Sequence, residues 1–275
     1  PTKLEGVFRG YVGVDCTAWD RVRDSDSRSY LHAINPDNMY YLATLNNERI
    51  GYAGIFESVL ANKPEFGIIS IDTLNRIPSD LVENTVLALE NVAFKQGFLG
   101  IALPPSDYLD WSFNHSPEKI AVRNIARYQK GIAIDLSPKN AKIWQELNGQ
   151  DLPADTYHAM SRGKFVYLVP HISTIDSLSA DMRQRLEKLL RFLAEQAQPN
   201  EPLKRALSRI KELQDQDRIK ELSRKAEGFK VDYKNEQDIK NAKWLLNVLS
   251  RKYAGKISPD INIERLSGNL VDLLS

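Results

Sequence analysis

Cysteine is almost absent from this chain of 275 residues. The one cysteine, Cys16, excludes an internal disulfide framework and a cysteine-based zinc cluster. No apolar run reaches the roughly 20 residues that a membrane-spanning helix needs, and the first residues lack the basic start and apolar stretch of a secretory signal. We therefore expect a protein of the reducing cytoplasm with no membrane partner.

The motifs of common nucleotide-dependent and hydrolytic enzymes are also missing. The sequence has no Walker-type phosphate loop, no GxGxxG, no GxSxG and no HExxH. Its four histidines, His32, His115, His158 and His171, lie far apart without metal-ligand spacing. Each is interpreted as a surface or structural histidine, and Cys16 as a buried thiol, with a nucleophilic thiol as the alternative. These absences favour a protein without catalysis, and no cofactor is expected.

The composition is that of an ordinary globular protein, with 42% hydrophobic and 27% charged residues. The length suits about two domains. Strand patterns mixed with helix patterns in the N-terminal part predict an α+β or α/β domain over residues 1–176, with a mixed sheet and helices packed on it. Helix patterns alone follow, which predicts an α-helical domain of three or more helices over residues 177–275.

The N-terminal elements follow from apolar spacing, caps and turn residues. Asn46-Asn47-Glu48 between two strand patterns predicts a hairpin, and Ser79 and Gly97 are predicted to begin and end a helix. The predicted order is a strand at 7–15, the hairpin strands 39–45 and 49–57, a strand at 66–72, a helix at 80–96, strands at 98–103 and 108–113, a helix at 116–130, a strand at 132–136, a helix at 137–147 and a strand at 164–170.

The C-terminal part contains three amphipathic helix patterns, beginning near Ser179, Leu203 and Asn235. The pentapeptide Arg-Ile-Lys-Glu-Leu occurs at 209–213 and again at 218–222. At about 3.6 residues per turn, the two copies face opposite sides of a straight helix. The second helix therefore either breaks at residues 214–217 or is buried on two sides. Wide apolar stripes of this kind are also compatible with a homo-oligomer.

Positive charge is concentrated in two places, although the net charge is only +1. Residues 201–256 hold 15 Lys and Arg against 9 Asp and Glu, and helical spacing places four cations of the 116–130 segment on one face. Aligned cations can bind successive phosphates, so we expect a non-enzymatic protein that contacts nucleic acid or a protein partner; a solvated helix face is the alternative. The predicted contact residues are Lys119, Arg123, Arg127, Lys130, Lys204, Arg205, Arg209 and Lys211.

Three aspartates end apolar strand patterns and support an alternative function. Asp15, Asp72 and Asp135 would converge at one sheet edge if their strands were neighbours. Carboxylates bind Mg²⁺ or Mn²⁺, which can catalyse phosphoryl displacement, so the alternative is a metal-dependent phosphodiesterase or nuclease with these residues as catalytic metal ligands. Turn capping explains each aspartate equally well, and the binding-protein hypothesis needs fewer coincidences of geometry.

Overall fold

A computed structural model describes residues 38–45, 48–75, 77–105, 117–140, 164–196 and 200–227, with five further helical residues between 236 and 244. The described part has an α+β fold: a mixed sheet with helices. The chain divides into two compact units, residues 1–207 and 208–275. The first unit contains the sheet and the helices directly after residue 176, and the predicted domain boundary at that residue stays a prediction.

The sheet begins with three long antiparallel strands: β1 (Asn38–Leu45), β2 (Glu48–Leu60) and β3 (Lys63–Asn75). The predicted hairpin of β1 and β2 is confirmed by their pairing from Asn38–Phe56 to Leu45–Glu48. A second hairpin joins β2 to β3 through Ala61 and Asn62, whose φ angles are 51° and 55°. Positive φ at both residues is typical of the type I′ turn.

Four short strands complete the sheet: β4 (Ile101–Leu103), β5 (Ile132–Ile134), β6 (Leu136–Pro138) and β7 (Phe165–Tyr167). The strand order is β1-β2-β3-β4-β7-β5, and β6 pairs with β2. Only Asp135 separates β5 from β6. Because β5 pairs with β7 and β6 pairs with β2, this short connection links the two sides of the sheet. The predicted helix start at Ser137 is wrong, because Ser137 pairs with Val59 in β6.

Helix α1 (Val82–Lys95) covers one face of the sheet and follows a 3₁₀ turn at Ser79–Leu81. Val82, Val86, Leu89 and Ala93 are buried, as the helical spacing predicts, in one cluster with apolar residues of β2, β3 and β4. Gly97 ends the helix with φ of 88°, which confirms the predicted stop. Ser79 does not cap it, since no side-chain cap hydrogen bond is present at either helix start.

The remaining helices are α2 (Pro117–Asn124), α3 (Ala126–Gln129), α4 (Ile172–Ser177), α5 (Ala180–Gln196) and α6 (Glu201–Glu227). Ser179 caps α5 through its hydroxyl, 3.2 Å from the Met182 amide nitrogen. Helix α6 is continuous through residues 214–217, and both Ile210 and Ile219 are buried. Of the two alternatives for the repeated pentapeptide, the structure therefore shows burial on two sides.

Several predicted elements lie outside the described residues: the strands at 7–15 and 108–113, most of the helix after Ser137, and most of the helix after Asn235. Within the described part of the chain, no helix combines the length and apolarity required to cross a membrane.

Candidate interaction surface

The basic segment from residue 117 to residue 130 is not one helix. Helix α2 ends at Asn124, Ile125 is extended with φ of −63° and ψ of 116°, and α3 begins at Ala126. The predicted single helix is therefore wrong, and its four cations do not follow one straight face. Ile125 and Tyr128 of this segment are buried in the same core cluster as α1.

The side chain of Arg127 is directed into the protein. Its guanidinium forms an ion pair with Glu90 of α1, and its Nε donates to the Val169 carbonyl at 3.1 Å. The Glu90 side chain is fully buried, and it also accepts a hydrogen bond from the His171 amide at 3.2 Å. These contacts use Arg127 to join α1, α3 and the chain after β7, so it does not take part in an exposed cationic row.

Burial dominates the electrostatics of this pair. Desolvation raises the pKa of Glu90, while the Arg127 charge and hydrogen bonds from Arg127, His171 and Thr174 act in the opposite direction. Burial also raises the pKa of Tyr167, and the nearby Glu90 charge raises it further. The Tyr167 hydroxyl donates to the Leu99 carbonyl at 2.8 Å, which satisfies this buried phenol.

Glu90 is a site residue that sequence reasoning missed, although a signal was present. Glu90 follows Val86 by four positions, so it lies within the apolar stripe of α1. A carboxylate on the buried side of a helix requires a cationic or hydrogen-bonding partner. The helical pattern therefore marks Glu90 as unusual, but only the three-dimensional structure identifies Arg127 as the partner.

Lys130 is brought to the first turn of α6 by one hydrogen bond. The amide Nδ2 of Asn200 donates to the Lys130 carbonyl at 2.6 Å, and Asn200 Oδ1 accepts from the Leu203 amide at 3.1 Å. Lys130, Lys204 and Arg205 are all exposed. None of the three forms an ion pair with a carboxylate of the described residues. We call these three cations the basic surface.

The other predicted contact residues are placed differently. Arg123 is half-buried, and Lys119 belongs to α2 but its side chain lies outside the described part. Arg209 and Lys211 belong to the second unit, where Arg209 pairs with Glu212 at 3.1 Å and Lys211 is exposed. Among the eight predicted residues, Lys130 is linked through Asn200 to the start of the helix that carries Lys204 and Arg205.

Asp72 and Asp135, two of the three aspartates of the alternative hypothesis, do not lie on strands that pair with each other. Asp72 is in β3 and Asp135 follows β5, with β4 and β7 between them. Neither β5 nor β6, the strands on either side of Asp135, pairs with β3, so the strand order does not bring the two carboxylates to adjacent strands. Asp135 is 80% exposed and lies 3.9 Å from the Lys164 ammonium, while Asp15 lies outside the described residues.

No other metal centre is present in the described ranges, which contain no group of three or more His, Cys, Asp or Glu side chains suited to an ion. Of the four histidines, His171 is the one that the structure describes; its Nδ1 lies 2.7 Å from the Ser173 hydroxyl and caps the short helix α4. This placement gives His171 a structural role. Cys16 and the other three histidines are outside the described part.

Comparison of the chain with protein-family models, with curated proteins and with solved structures gives no match.

Proposed function

We propose that the protein is a non-enzymatic binding protein that contacts nucleic acid through the basic surface of Lys130, Lys204 and Arg205. The observation that carries this proposal is the Asn200–Lys130 hydrogen bond, which joins the Lys130 backbone to the residue that begins the helix carrying Lys204 and Arg205. Three exposed cations without described carboxylate partners remain available to phosphates. The exposed Glu201 in the first turn of α6 reduces the local positive charge but does not cancel it.

The helix geometry favours convergence of the cations. Cα–Cβ bonds of an α-helix tilt toward its N-terminus, so the Lys204 side chain starts toward Asn200 and the Lys130 turn. Lysine and arginine bind nucleic acid mainly by displacing counterions from its phosphates. Because each neutralised phosphate of duplex DNA contributes about 0.9 to the salt slope, three contacts predict a slope of about −2.7 and an affinity loss of about 40-fold between 50 and 200 mM salt.

The test is charge reversal at all three positions. Binding of labelled duplex DNA and of RNA is measured by fluorescence anisotropy for the parent and for the triple variant Lys130→Glu, Lys204→Glu, Arg205→Glu. We expect the parent to bind with the salt slope above and the triple variant to lose that binding. The matched control is Lys188→Glu, an exposed lysine of α5 outside the basic surface, which should bind as the parent does.

Two outcomes contradict the proposal: a parent that binds neither DNA nor RNA, and a triple variant that binds as tightly as the parent. In the first case, the basic surface could still contact an acidic protein. An interaction of that kind must disappear in the triple variant and persist in the Lys188→Glu control.

A further inference from the structure

Asn200 makes two kinds of hydrogen bond at the start of α6, one within the helix and one to the Lys130 turn. Its Oδ1 accepts from the Leu203 amide, and its backbone carbonyl accepts from the Lys204 amide at 3.2 Å, so it is the N-cap of the helix. Its Nδ2 is then directed away from the helix to the Lys130 carbonyl at 2.6 Å. One side chain thus sets both the first turn of α6 and the distance from that turn to Lys130.

The Lys130 end of this contact is held by its own neighbours. The Lys130 amide donates to the Ala126 carbonyl at 3.2 Å, and the Gly131 amide donates to the Tyr128 carbonyl at 3.1 Å. Strand β5 begins directly afterwards and pairs with β7. The turn is therefore anchored by α3 on one side and by the sheet on the other, and the Asn200 amide donates a side-chain hydrogen bond that joins the start of α6 to it.

We infer that Asn200 is a positioning residue for polyanion binding: it keeps Lys130 close enough to Lys204 and Arg205 for one phosphate backbone to contact all three. This inference rests on the proposed function. The ligand class that it implies is a chain of closely spaced phosphates, because a single phosphate would gain little from the spacing between the cations, whereas a backbone binds each cation at a separate phosphate.

The experiment distinguishes the Asn200–Lys130 hydrogen bond from the N-capping of α6 by Asn200. Asn200→Ser keeps a neutral residue that is as strong an N-cap as asparagine but has no amide to donate to Lys130. The affinity for duplex DNA is measured against salt for the parent, Asn200→Ser, Lys130→Ala and the double variant. We expect Asn200→Ser to reduce the salt slope by about 0.9, like Lys130→Ala, with an affinity loss of about 8-fold at 0.1 M salt.

The double variant gives the decisive comparison. If Asn200 acts by placing Lys130, Asn200→Ser changes nothing further once Lys130 is alanine, because coupled residues are not additive. Additive losses, or unchanged binding by Asn200→Ser, overturn the inference. A parent that does not bind DNA at all overturns the proposed function instead, so the two failures are distinguishable.

Two controls address folding. Ser179→Ala removes the cap of α5, away from the basic surface, and should lower stability while leaving the salt slope unchanged. Asn200→Thr is a second neutral capping residue without an amide and must reproduce the slope of Asn200→Ser. A different slope for these two variants contradicts the inference, since both lack the same donor.

Discussion

At the scale of single residues, the Glu90–Arg127 pair is an ion pair that reaches into the described core. Glu90 is fully buried and Arg127 is mostly buried, and together they connect α1 and α3 to the chain after β7. A buried ion pair adds little net stability compared with apolar residues, but removal of one partner leaves an uncompensated charge. The role of Arg127 in this pair is therefore structural.

Arg127→Met tests this role. We expect the free energy of unfolding near pH 7 to fall by about 3 kcal/mol, since Glu90 keeps its burial and loses its cation. The control is Arg191→Met: the Arg191 side chain is 63% exposed and its guanidinium lies 2.7 Å from the Glu187 carboxylate. A surface i,i+4 pair contributes roughly 0.3–0.5 kcal/mol. Urea denaturation of both variants gives the comparison, and equal losses would contradict the structural role.

The same variant has a predicted pH dependence. Burial raises the pKa of Glu90 above its ordinary value of 4.5, and removal of the Arg127 charge raises it further. Because the folded state has the higher Glu90 pKa, it binds the proton more tightly than the unfolded state does. The resulting contribution to the free energy of unfolding is fully present below the ordinary pKa of Glu90 and is lost as the pH rises through its folded pKa. Arg127→Met should therefore lose less stability, relative to the parent, at about pH 5 than at about pH 8.

At Gly100, both the backbone conformation and the surrounding space disfavour a side chain. Its φ is 129°, and an added Cβ would lie 2.9 Å from the Tyr167 hydroxyl oxygen. Gly100→Ala should reduce the unfolding free energy by at least ~2 kcal/mol, from backbone strain and the close contact together. Gly67→Ala is the control, because an added Cβ at Gly67 would lie 3.2 Å from the Phe98 ring and the residue has no positive φ. A loss of unfolding free energy as large as that of Gly100→Ala would contradict this explanation.

At the scale of elements, sequence patterns predict the long units well and the turns poorly. Helices α1 and α5 follow the apolar spacing, with Gly97 ending α1 and Ser179 capping α5, and the β1–β2 pairing agrees with the hairpin predicted from the sequence. The sequence does not predict the β2–β3 turn, because alanine rarely adopts the positive φ that Ala61 has there. The interruption at Ile125 is not predicted either, since burial in the core cluster outweighs an uninterrupted helical pattern.

The β2–β3 turn gives a stabilising prediction. Ala61→Gly removes the steric cost of a Cβ at φ of 51°, and we expect a gain of about 0.5–1 kcal/mol in unfolding free energy. Ala88→Gly on the exposed side of α1 is the matched control and should lose about 1 kcal/mol. Thermal denaturation measures whether each variant gains or loses stability. A loss of stability in Ala61→Gly contradicts the type I′ turn.

At the scale of the whole chain, the sequence predicts the mixed sheet but not its order. Strands β4 to β7 are three residues each, and their pairing is set by contacts between distant parts of the chain rather than by local pattern. The two aspartates illustrate this limit. Asp72 and Asp135 both end apolar runs, which suggests neighbouring strands, but the observed strand order does not pair the strands that carry them. Lys130 meets α6 through a contact with no sequence signal beyond the capping preference of Asn200.

The most direct test of the basic surface is a titration of the isotope-labelled protein with duplex DNA, followed by amide chemical shifts in two-dimensional NMR. We predict that the amides of Lys130, Gly131, Lys204 and Arg205 shift together at low salt and return toward their free positions as salt is added. Shifts confined to other parts of the protein, or none at any DNA concentration, would contradict the account.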